Sequence, residues 1–190
     1  MNENNHLQAH SWKGKENTES FCIYHSKQNV PHLEDWIDDV MGFVPVDVAN
    51  VGRMTRLIRR MEEDMYVPWS IPYAYRRVAA YYGLHWQSLR EIQREVMQKS
   101  QYVPLVARAG KSTFCAVKTI ARPLTRHEGA TGYIVGKEVK TIHNVEEKTK
   151  MLEFTNGKNL LVYMSREQIQ QRFMDGNLFA AVWRDRQFRE

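Results

Sequence analysis

The chain has 190 residues, of which 43% are hydrophobic, with a net charge of +5 and a pI of about 9.2. That describes one domain, or one domain with an appendage, long enough to bury a core without staples, and it excludes a disordered or collagen-like chain. Two cysteines, Cys22 and Cys115, exclude a disulfide framework, and no apolar run approaches the ~18 residues of a membrane span.

Residues 1–20 are polar and read as a disordered or loosely held arm; the opening MNENNHLQAH has neither the basic nor the apolar region of a secretory signal. A cytoplasmic protein without a membrane partner is the expectation. Next comes HLEDWIDDVMGF, residues 32–43. Leu33, Trp36, Ile37, Val40 and Met41 recur at three- and four-residue spacing among Glu34, Asp35, Asp38 and Asp39, which predicts an acidic amphipathic helix ended by Gly42. Residues 53–66 also read as helical, with Arg53, Arg56, Arg59 and Arg60 forming a basic stripe. Residues 21–66 are therefore expected to form an acidic helical segment. After a proline-containing link, AYRRVAAYYGLHWQSLREIQREVMQK predicts two helices broken at Gly83.

After Lys99 the texture changes to strands, at 102–107, 113–120, about 132–136, about 138–145, 149–155 and 158–164. RAGKST, residues 108–113, ends like a phosphate-binding P-loop. The first glycine of that loop should stand at 105, where the chain has Leu105, and TFCAVKTI follows where a helix should start. Gly110 reads instead as a hairpin turn between strands 102–107 and 113–120. Asn156-Gly157 predicts a second hairpin with a type I′ turn. Ser165 and Gln168 form a capping box that opens a closing helix, with Ile169 and Phe173 on its inner side and an interruption at Gly176. The fold class is α+β: an N-terminal helical segment, a β-rich antiparallel body and a closing C-terminal helix.

Charge divides unevenly along this order. Residues 1–66 carry 7 Lys/Arg against 11 Asp/Glu, whereas residues 67–190 carry 20 against 11. A basic body is suited to a polyanion, and nucleic acid is the polyanion this pattern favours. Arg76 and Arg77, then Arg90 and Arg94, flank an aromatic cluster of Tyr73, Tyr75, Tyr81, Tyr82 and Trp86 read mainly as core. Arg108, Lys111, Arg122, Arg126 and Lys158 stand near strand ends and loops, where cations can clamp phosphates or enter a minor groove. These nine residues are the candidate DNA contacts. No metal or cofactor is expected: Cys22-x-x-His25 with His32 lacks a second pair, and His85, His127 and His143 stand apart. No catalytic motif is present, so the chain is expected not to be an enzyme.

From about Tyr75 to Ala180 the chain resembles the competence transcription factors of bacteria, the ComK family. Tyr82-Gly83-Leu84-His85-Trp86 with Arg90 matches that family's aromatic-glycine stretch, and Lys99, Pro104-Leu105 and Tyr133-Ile134 follow in order. Phe154-Thr155-Asn156-Gly157-Lys158 and then Ser165 resemble its hairpin and helix start. Ala79 and Ala80 stand where the family has a cysteine. The resemblance implies a transcription activator that binds A/T-rich double-stranded DNA through the minor groove, bends it and self-associates on it. Two alternatives stand beside it. One is a LytTR-like DNA-binding domain. The other is a protein–protein adaptor that docks a partner through the acidic helix 32–43 and the basic body. The charge split also suggests that residues 1–66 cover the basic body and regulate it.

Overall fold

The computed structural model describes residues 21–24, 30, 32, 35–84, 91, 94, 105–107, 112–119 and 130–187. The chain runs through β1 (Phe21–Ile23), a 3-10 turn (Ile37–Asp39), β2 (Val40–Val48), β3 (Gly52–Arg59), β4 (Asp64–Val67) and helix α1 (Ile71–Tyr81). It continues through β5 (Leu105–Ala107), β6 (Ser112–Thr119), β7 (Ala130–Val135) and β8 (Val139–Asn144). The last elements are β9 (Lys150–Phe154), β10 (Asn159–Val162) and helix α2 (Arg166–Gln187). The α+β class is as expected, with a mainly antiparallel β body closed by a C-terminal helix.

Among the described residues the strands form one sheet, in the order β1-β4-β3-β2-β7-β6-β10-β9-β8, with β5 also beside β6. Only the β1–β4 pairing is parallel. The sheet coils back on itself, because residues of β2 and β3 share a core with residues of β9 and β10 that lie far along the strand order. That inner core joins Met41, Val44, Ile58, Leu152, Phe154, Leu160 and Ile169. The opposite face carries a second core, in which Phe43, Leu57, Val67, Phe114 and Val135 pack against Ala74, Tyr75 and Val78 of α1 and Phe179 of α2. Phe43, Phe114, Phe154 and Phe179 are fully buried, and each such side chain contributes about 1.5–3 kcal/mol.

The acidic helix over 32–43 does not form. Its described residues make the single turn Ile37–Asp39 and enter β2, whose first six residues are all buried. A strand buried on both faces shows no alternation, and its short apolar run imitates helical spacing. The β-branched Val40, Val44, Val46 and Val48 suit a strand, and Pro45 opposes a helix continuing past this point. Residues 53–66 are likewise β3 and β4, not a helix. The 21–66 segment is therefore no separate helical unit. β2 pairs with β7 at Gly42–Ile134 and Phe43–Tyr133, so residues 40–67 and the basic body share one sheet. They cannot act as a detachable cover, and the adaptor reading loses its acidic docking helix. The arm 1–20 lies outside the described residues.

The later elements follow the sequence closely. β5 and β6 pair antiparallel from Ala107–Ser112, a hairpin rather than the strand-to-helix passage of a P-loop. The β9–β10 hairpin is present, but its turn is not type I′: Gly157 takes φ +84°, while Asn50 is the only non-glycine at positive φ among the described residues. Gly157 N–H donates to Phe154 O, and Phe154 N–H donates to Lys158 O, the pattern of a type I turn closed by a left-handed glycine. The capping box is reciprocal. Ser165 N–H donates to Gln168 Oε1 at 2.9 Å, and Gln168 N–H donates to Ser165 Oγ at 3.2 Å. Helix α2 runs unbroken through Gly176. The glycine is there for space, since a Cβ on it would lie 2.5 Å from Cys115 Sγ.

Candidate nucleic-acid interface

Helix α1 presents the exposed arginines. Ser70 opens it by accepting from Tyr73 N–H at 3.4 Å, and Pro72 occupies the first turn, where a missing N–H removes no helical bond. It ends where Gly83 adopts φ +68°: Leu84 N–H donates to Ala79 O and Gly83 N–H to Ala80 O. That is a Schellman motif, with Leu84 buried beneath it. The break at Gly83 falls where the sequence placed it.

Ala74, Tyr75, Val78 and Ala79 form the buried face of α1. Tyr73, Arg76, Arg77, Ala80 and Tyr81 form the exposed one. Tyr73 and Tyr81 are 38% and 37% exposed, so they belong to the arginine face and not to the core. The signal was available, because counting 100° per residue from Tyr75 puts Tyr73 and Tyr81 on the far side. Tyr75 is in the core as read, and burial there raises its hydroxyl pKa. Trp86 lies outside the described residues.

The remaining cations divide sharply. Arg53 pairs with Asp47 at 3.1 Å, Arg56 with Asp64 at 2.6 Å, and Arg60 with Glu138 at 2.8 Å. Arg59 pairs with Asp39 at 3.1 Å and with Glu62 at 2.6 Å. The expected basic stripe is thus neutralised within the fold. Lys158 belongs to the same network: its Nζ donates to Asp64 Oδ1, Arg59 O and Glu62 O within 2.8 Å. Three short bonds to its own chain give the Lys158 ammonium a structural role. Asn156 beside it donates to Arg59 O and Arg60 O, which clamps the β9–β10 turn onto the β3–β4 turn.

By contrast, no carboxylate pairs with Arg76 or Arg77 among the described residues. Arg94 is helical and exposed. Arg90, Arg108, Lys111, Arg122 and Arg126 lie outside the described residues, as do His25, His85 and His127. The structure therefore brings Arg76 and Arg77 onto one helix face, keeps Arg94 at the surface and removes Lys158 to the ionic network.

Other titratable groups have plain structural settings. Burial opposes ionisation of Glu138, but hydrogen bonds from Arg60 and Thr155 outweigh it and hold the carboxyl below its ordinary value. Hydrogen bonds from His143 and Lys140 lower Glu153. Burial pushes the Cys115 thiol up to about 12. Among the described residues no group of His, Cys, Asp and Glu could hold a metal ion, and no helix is long and apolar enough to cross a membrane. Compared with models of protein families, with curated proteins and with solved structures, the chain matches none.

Proposed function

We propose that the chain is a cytoplasmic DNA-binding transcriptional regulator, an activator that contacts duplex phosphates and an A/T-rich minor groove through arginines. One observation carries this reading: Arg76 and Arg77 stand exposed and without ion pairs among the described residues, while Arg53, Arg56, Arg59 and Arg60 are all paired. An exposed arginine pair costs little to leave in water and gains a charge-assisted bond from each phosphate it meets. The resemblance to competence transcription factors supports the same reading, and supplies the A/T preference and the assembly of copies on DNA. Arg94, and Arg90, Arg108, Lys111, Arg122 and Arg126, would extend the contact surface. The protein binds DNA without a cofactor and performs no catalysis.

The test is fluorescence anisotropy of the purified chain with two labelled duplexes, one with spaced A and T tracts and one G·C-rich, across a salt series. Preference for the A/T duplex that persists as salt rises is expected. Absence of binding to either duplex at low salt would remove the reading.

A further inference from the structure

The outer face of α1 holds more than charge. Tyr73, Arg77 and Tyr81 follow one another at four-residue spacing and so form one ridge, with the two tyrosines about 12 Å apart along the axis. Arg76 flanks the ridge, and the small Ala80 leaves open surface beside Tyr81. Each tyrosine is braced by a second aromatic ring. Tyr73 meets Trp69 edge-to-face at a centroid distance of 5.6 Å, and Tyr81 meets Tyr82 edge-to-face at 5.0 Å. The braces are fixed in turn: Trp69 is 6% exposed and packs on Trp36, and Tyr82 donates its hydroxyl to Asp38 at 3.1 Å.

A solvent-facing helix surface ordinarily carries polar and charged side chains. This one carries two rigid aromatic rings in register with two cations. Duplex phosphates would use the arginines alone, since paired bases hide their faces in the stack. Unpaired bases offer those faces, and each stacks on an aromatic ring while arginine holds the neighbouring phosphate. We infer that the Tyr73–Arg77–Tyr81 ridge of α1, with Arg76, is a binding platform for single-stranded nucleic acid. The inference rests on the nucleic-acid reading above and adds to it a ligand that stacks.

The experiment compares a labelled oligothymidylate with an abasic oligonucleotide of equal length and charge at fixed salt, with the wild-type chain titrated against duplex in parallel. The intact chain should prefer the base-bearing strand by about tenfold or more. Tyr73→Ala/Tyr81→Ala should erase that preference, and Tyr73→Phe/Tyr81→Phe should keep it, because stacking needs the ring and not the hydroxyl. Circular dichroism establishes that each variant folds; the single Tyr81→Ala serves if the double variant does not, and should reduce the preference. Equal affinity for the two strands, failure to bind either, or a preference that survives in the folded alanine variants overturns the inference. Equal affinity alongside duplex binding sinks this inference alone, whereas silence toward strands and duplex together sinks the DNA reading as well.

Discussion

Lys158 Nζ lies 2.7 Å from Asp64 Oδ1, so the turn of the β9–β10 hairpin is tied to the first residue of β4. Asp64 is 7% exposed and also holds Arg56. Removing one cation from a nearly buried carboxylate leaves it under-compensated. Lys158→Met should therefore destabilise the fold by about 1–3 kcal/mol, read as a lower urea midpoint at unchanged slope. Below the unfolding transition the variant should bind duplex as the wild type does, since its ammonium already bonds to protein.

Gly176→Ala sets two effects against each other. Alanine gains about 1 kcal/mol of helix propensity, but its Cβ would lie 2.5 Å from Cys115 Sγ and 3.2 Å from Thr113 Cγ2. A buried sulfur against a backbone-fixed methyl cannot give that distance cheaply, so a net loss of about 1–3 kcal/mol is expected. Cys115→Ala combined with Gly176→Ala should be more stable than Gly176→Ala alone. Thermal unfolding of the wild type, Cys115→Ala, Gly176→Ala and the double variant measures that coupling, and simple additivity would contradict the packing described.

Glu138 supplies a pH dependence with a defined sign. Its folded carboxyl titrates below the ordinary value, held there against burial by Arg60 and Thr155. Such a group stabilises the fold above the unfolded carboxylate range and loses that contribution as pH falls through the folded value. Glu138→Gln should lower the urea midpoint at neutral pH, with a gap to wild type that narrows on acidification from about pH 5 downward. A gap that widens in acid would reverse the assignment.

Legibility in the sequence followed the range of the interactions. The β9–β10 hairpin, the Ser165–Gln168 cap and the end of α1 at Gly83 depend on neighbours a few residues away, and all three could be read. β2 and β3 could not, because burial on both faces removes the alternation that marks a strand. Arg60 and Glu138 are 78 residues apart, beyond any local signal, so an arginine neutralised across the sheet read as part of a basic stripe. The acids Glu62, Glu63 and Asp64, separated from Arg60 by one residue, are the local hint of pairing. At the candidate site, the exposure of Arg76 and Arg77 on a helix is legible from their position beside apolar Tyr75 and Val78. The exposure of Tyr73 and Tyr81 emerges only when the aromatic cluster is split by its helical phase.

The proposed function requires that the α1 arginines meet phosphates. The most direct measurement is the salt dependence of duplex affinity for the intact chain and for Arg76→Ala/Arg77→Ala, with folding checked by circular dichroism. Each phosphate contact contributes a slope of about 0.9 in log K against log salt, so the double variant should lose affinity and flatten the slope by nearly two. A folded variant with the wild-type affinity and slope would show that this helix face does not touch DNA.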